Sequence, residues 1–205
     1  MHYSISIGIA VMALVVVASN ILVQFLVGQW LTWGAFVYPI AFLVTDLMNR
    51  VFGATAARKV ILAGFVVGIF CSFVGSQIEG EFGPLVTLRV ALGSGTAFLI
   101  AQLLDVSIFD RLRRDVWWKA PLISTLIGSS VDTFLFFFIA FSSQLTFLEP
   151  KVGTEWANAP TMLLGFGPVF PYWMSLASAD LGVKLAIALI LLIPFRAISL
   201  KLVSQ

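Results

Sequence analysis

An all-α integral membrane protein of six transmembrane helices is the fold class this sequence predicts, and three observations predict it. The 205 residues are 60% hydrophobic and only 11% charged, with a mean hydropathy of +1.04, whereas a soluble domain carries about 25% charged residues. The apolar residues fall into six stretches, each close to the roughly 20 residues a helix needs to cross a bilayer. The basic residues cluster in alternate connections, as a multi-pass topology requires. No polar segment is long enough for a separate soluble domain, so residues 1–205 read as a single six-helix membrane domain. The formal net charge of +2 implies no nucleic-acid partner. Cys71, the one cysteine, lies inside an apolar run, so no intramolecular disulfide can form. His2 stands alone and cannot build a metal or triad site. The apolar N-terminus lacks a basic leader and a small-residue cleavage site, and reads as a retained helix.

Residues 5–27 form the first span, and the short Gly28–Trp33 turn places Trp30 and Trp33 at a membrane interface. The second span, 34–52, is apolar but for Pro39 and Thr45 until it reaches Asp46, with Asn49 and Arg50 one turn later. It closes on Gly53 and a small basic loop, Arg58-Lys59. An acid at membrane depth costs about 2.5–3.5 kcal/mol on insertion scales. Asp46 therefore serves a function such as coupling, or is paired structurally to Arg50 one helical turn on. In the third span, 60–78, Gly64, Gly68, Ser72 and Ser76 recur every four residues. That small-residue stripe lets a neighbour approach closely, either within one chain or across a homodimer. After the acidic turn at 79–84, the fourth span, 85–104, contains Arg89 and leads into a basic loop from Asp105 to Lys119. The fifth span, 120–143, holds Asp132; the long connection 144–170 can hold a short surface helix or lid; the sixth span, 172–198, carries Asp180 and Lys184.

Six spans put both termini on one side. The basic loops around Arg58 and Arg111–Lys119 share that side, while the opposite turns hold Glu79, Glu81, Glu149 and Glu155 against Lys151 alone. The positive-inside rule then places both termini in the cytoplasm. Counting depth at 1.5 Å per residue brings Asn20, Gln24, Arg89, Asp132, Asp180 and Lys184, from four helices, into one layer of the outer half. Its four charges sum to zero. Inserted separately they would cost on the order of 10 kcal/mol, and facing one another around a wet cavity lowers that cost. Such a cavity captures a polar solute; the alternative is a pair of structural salt bridges. On the fifth span Thr125, Gly128, Ser129 and Asp132 form a small polar stripe. One or two of the phenylalanines beyond it, from Phe134 to Phe141, can stack on a planar heterocycle, while the others face lipid.

Absent motifs exclude several classes. There is no GxxxxGK[ST] loop, no HExxH, and no GxSxG with a usable histidine, so ATP hydrolysis by that route, metalloproteolysis and esterase chemistry lack their parts. Neither an enzyme nor a cofactor or metal site is expected.

The residues resemble the bacterial queuosine precursor transporters, also described as vitamin-uptake-transporter-like proteins. The resemblance covers nearly the whole chain: SNILVQ at 19–24, TWGAFVYPIAFLVTDLMNRVFGATAARKVI at 32–61, AQLLDVSIFDRLRR at 101–114, WWKAPLISTLIGSSVDTFLFFFIAF at 117–141, and Asp180-x-x-x-Lys184. It implies an inner-membrane importer of 7-deazaguanines, the 7-cyano and 7-aminomethyl precursors of a modified tRNA base. It also implies a fold similar to the substrate-binding subunits of energy-coupling-factor importers. The sequence departs from the family at Arg50, where many members carry an acid, and near Gly128-Ser129, where several carry Asn. A carboxylate such as Asp132 or Asp180 suits the paired N–H groups of a guanine edge; Lys184, Arg89, Asn20 or Gln24 suits its carbonyl. The alternative is a membrane subunit or receptor that needs a separate ATPase module. The Ala-x-x-x-Ala pair common on the first helix of such subunits is absent from residues 5–27.

Overall fold

Among the described residues, six helices are long and apolar enough to cross a membrane, and the residues at their ends explain where they stop. The computed structural model describes residues 2–81 and 83–203; the side chain of His2 lies outside the described residues. Helix α1 runs His2–Leu22 and ends sooner than expected, because the chain turns into a two-stranded hairpin, β1 (Leu26–Val27) and β2 (Leu31–Thr32). The second span is a short α2 (Gly34–Val37) followed by α3 (Pro39–Phe52). Pro39 has no N–H to donate into the preceding turn, and the break falls immediately before it, at Tyr38. Gly53, with φ +85°, makes the joint to α4 (Ala54–Ser76) in a backbone region that favours glycine. Arg58 and Lys59 are therefore on α4 rather than in a loop.

A second hairpin, β3 (Glu79–Gly80) with β4 (Gly83–Pro84), precedes α5 (Leu88–Leu112). The start of α5 is held twice over. Thr87 Oγ1 accepts from the Val90 amide, and the Glu149 carboxylate accepts from the amides of Leu88 and Arg89 at 3.1 and 3.0 Å. A carboxylate there satisfies orphan donors and complements the helix dipole. At its other end α5 continues well past residue 104, so Asp105 is a buried helical residue and not the start of a loop. Helix α6 spans Lys119–Phe141. The long connection holds a 3-10 turn at Ser143–Leu148, a short α7 (Glu155–Asn158), and a third hairpin, β5 (Pro160–Met162) with β6 (Val169–Pro171). Helix α8 (Tyr172–Val203) completes the bundle.

All three hairpins close the same end of the bundle; the exposed bases Arg58, Lys59, Arg111 and Arg114 lie at the opposite end. The core is packed where α1, α3, α4 and α5 meet, around Met12, Ala41, Val60 and Phe98. Helices α5 and α6 make the closest pairing, and Gly128 is one reason. A Cβ there would sit 2.8 Å from the Phe42 ring and 3.3 Å from Asp105 Cβ. The stripe Gly64, Gly68, Ser72 and Ser76 faces inward: Gly64 abuts Met12, and all four residues line a cavity between α1, α4 and α5.

Candidate functional site

Three of the charges expected to share a layer do meet. Lys184 Nζ lies 2.8 Å from Asp132 Oδ2 and 2.6 Å from Asp180 Oδ2, and it donates to Thr133 Oγ1 at 3.1 Å. Thr133 in turn donates to Asp180 Oδ2 at 2.8 Å. Tyr38 donates its hydroxyl to Asp132 Oδ1 at 2.9 Å, and its ring stands 5.1 Å from the ammonium. Lys184 and Asp132 are almost wholly buried. One cation thus holds two acids from α6 and α8, with Tyr38, at the break between α2 and α3, supplying a further donor. Asp180 and Lys184 meet because they are one helical turn apart; Asp132 joins them because α6 packs on α8.

Arg89 is the correction. Its fully buried guanidinium donates to the carbonyls of Ile139 (3.0 Å) and Ser142 (2.6 Å), and reaches Thr154 Oγ1 at 3.5 Å. It ties the end of α6 and the long connection to α5, and forms no ion pair with Asp132 or Asp180. The cluster around Lys184 therefore holds two acids and one base rather than the balanced set of four. Gln24 also separates from Asn20. The two were expected one turn apart on a single helix face, but α1 ends at Leu22, and Gln24 is exposed in the turn beyond. Asn20 stays half-buried, its amide donating to the Val16 carbonyl at 2.9 Å.

The cavity has a volume of about 650 Å³ and lies toward the hairpin end. Asn20, Tyr38, Phe65, Phe98, Ser72 and Glu149 are among its walls. That volume is in the usual range for small-molecule sites, about 300–1,000 Å³. Tyr38 belongs to both features, since it lines the cavity and its hydroxyl covers Asp132. The aromatic wall comes from α4 and α5. The α6 phenylalanines instead pack against α7 and α8 around Trp173, apart from Phe134, which is exposed. Tyr38 and the wall phenylalanines Phe65, Phe73 and Phe98 carry no sequence signal beyond being aromatic.

Asp46 and Arg50 do not pair. The Arg50 guanidinium donates to the carbonyls of Arg113 (2.6 Å) and Trp117 (3.3 Å) and sits over the rings of Phe109 and Phe195. It closes the turn between α5 and α6. Asp46 accepts from Thr125 Oγ1 at 3.3 Å and faces Asp105 of α5.

Apolar spanning helices around a buried charged cluster and a ligand-sized cavity make this a multi-pass membrane protein with room for a small solute. A model of the family described as "Putative vitamin uptake transporter" matches residues 32–198, and the chain belongs to that family. It is 35% identical over 204 residues to the "Queuosine precursor transporter" of Escherichia coli (strain K12), covering 92% of this chain and 83% of that protein. It is 36% identical over 183 residues to the "Probable queuosine precursor transporter" of Haemophilus influenzae, covering 84% of this chain and 69% of that one. No solved structure matches.

Proposed function

We propose that the chain imports 7-deazaguanine precursors of queuosine, the 7-cyano and 7-aminomethyl forms, across the bacterial inner membrane. The observation that carries this reading is the placement of Tyr38 between the cavity and the Asp132–Lys184–Asp180 cluster. The base enters the cavity from the hairpin end and stacks against Phe65 or Phe98. Its ring N–H and exocyclic amine replace the Tyr38 hydroxyl on Asp132, and Asn20 turns its amide from Val16 to the base carbonyl. Lys184 stays bonded to the other oxygen of Asp132 and keeps it aimed throughout. Purines lacking those edges leave these groups unpaired and are rejected. Arg89 and Gln24 have no part in this site: the first is consumed by backbone carbonyls and the second lies outside the cavity wall. The names of the two relatives support the solute, and the positive-inside rule supports cytoplasmic termini with the hairpins outside.

The test is a deazaguanine titration on detergent-purified protein. Asp132→Asn should reach the membrane at near-normal level yet bind at least about tenfold more weakly, a loss of about 1.4 kcal/mol; equal affinities would remove Asp132 from the site. Uptake of labelled precursor in a host lacking coupling ATPases should persist, which separates a self-sufficient transporter from a subunit that needs an ATPase module. A cysteine placed at exposed Glu155 in a Cys71→Ser background should react with an impermeant reagent in intact cells. Reaction only after lysis would reverse the orientation.

A further inference from the structure

Among the described residues, the buried side-chain polar atoms without a partner are Asp46 Oδ1, both oxygens of Asp105, Asn49 Oδ1, Gln102 Nε2 and Ser129 Oγ. They come from three helices and gather in the half of the bundle nearer the basic end. Thr45 of α3 donates to Gln102 of α5 at 2.9 Å, and Asn49 of α3 donates to the Val106 carbonyl of α5 at 3.0 Å. Ser129 follows Gly128, whose backbone rests against Asp105. Native interiors leave few such atoms unpaired, and each one calls for an explanation. Here they surround two carboxyl groups, Asp46 and Asp105, on the two helices that those bonds knit together, and both abut one stretch of α6, Asp46 at Thr125 and Asp105 at Gly128.

Two carboxylates in contact present only acceptors to one another, so that contact becomes a bond only if a proton lies in it. Among the described residues, no cation forms an ion pair with either acid. Arg50, the charged group nearest on α3, is turned away to the Arg113 and Trp117 carbonyls. From α6 the pair meets Thr125 and Ser124. Across a cavity of about 20 Å³ beside Asp46, α8 offers Ala188, Leu191, Leu192 and Phe195, all apolar. The bases Arg58 and Lys59 of α4 are exposed. Lys184 is engaged by Asp132 and Asp180. The helices connect the two acid clusters. On α6, Thr125, Ser129 and Asp132 follow one face, and Tyr38, at the break before α3, stands eight residues before Asp46 of α3.

We propose that Asp46 and Asp105 together hold one exchangeable proton and are the site through which a proton gradient drives transport. The coupling part rests on the importer reading above; the proton site stands without it. The proton arrives from the hairpin end along the α6 polar face, bridges the two carboxyl groups while the carrier is loaded, and leaves toward the basic end. Direct approach of the two carboxyl groups suits a proton, which occupies the contact itself; a sodium ion would have to be encircled.

The experiment uses the purified full chain. In infrared difference spectra recorded across pH, wild type should show a protonated-carboxyl band that Asp105→Asn and Asp46→Asn each abolish. A spectrum unchanged in both variants overturns the proton site, whatever solute is carried. In proteoliposomes given labelled 7-aminomethyl-7-deazaguanine on the outside, wild type should accumulate the base under an inward proton gradient. Asp105→Asn should lose accumulation at least about tenfold while retaining binding and base-for-base exchange. Accumulation driven equally by a sodium gradient at symmetric pH, or undiminished in Asp105→Asn, overturns the coupling. Failure of wild type to bind the base would instead sink the importer reading, and the infrared result would still decide the proton site.

Discussion

Asp132 and Asp180 share one lysine and receive hydroxyl donors from Tyr38 and Thr133. Asp46 and Asp105, deeper toward the basic end, share only each other and one long bond from Thr125. The first cluster supplies its own cation, so its charges are fixed and hold α3, α6 and α8 together. The second has no cation in contact and must take its compensation from elsewhere. Two pairs of buried acids in one bundle can thus play opposite parts, and what separates them is whether a base reaches them. Removing a base from the first cluster should hurt, while removing an acid from the second should not.

The largest effect should come from Lys184→Met. It leaves two buried acids without their cation, and breaking a buried pair in this way costs about 3–5 kcal/mol. Thermal unfolding in detergent should show it, and Asp132→Asn with Asp180→Asn added to Lys184→Met should restore most of the loss. A triple variant no more stable than the single one would break the comparison. Next comes Arg89→Lys, which keeps the charge but lacks the fork that spans the carbonyls of Ile139 and Ser142. Losing one charged hydrogen bond costs about 1.5–3 kcal/mol. Limited proteolysis should then cut the connection between α6 and α7 faster than in wild type, with deazaguanine affinity unchanged. The smallest effect on stability should be that of Asp105→Asn, a shift within about 1 kcal/mol of zero, because an amide can donate to Asp46 where a second carboxylate cannot. Destabilisation as large as that of Lys184→Met would mean that Asp105 has a partner of its own.

The sequence by itself determined the number of spans and the depth of most charges. Hydropathy is a local sum, and helical rise converts position into depth without reference to any neighbour. Helix covers residues 34–52 except for the break at Tyr38, which Pro39 marks in the sequence. The Asp180–Lys184 contact was legible because it lies one turn along a single helix. Helix ends were less so. Asp105 reads as the start of a polar loop, yet α5 carries it inside the bundle, where Gly128 makes room for it. Asn20 and Gln24 read as neighbours until a hairpin ends α1 between them. Only the tertiary structure decided which charges meet. Arg89 and Arg50 each lay within plausible reach of an acid, and both turned instead to backbone carbonyls left open at helix ends. Asp132 found its lysine, and Asp46 found another acid. Partner choice depends on the rotation and spacing of packed helices, which are properties of pairs of segments, and no single segment of the chain encodes them.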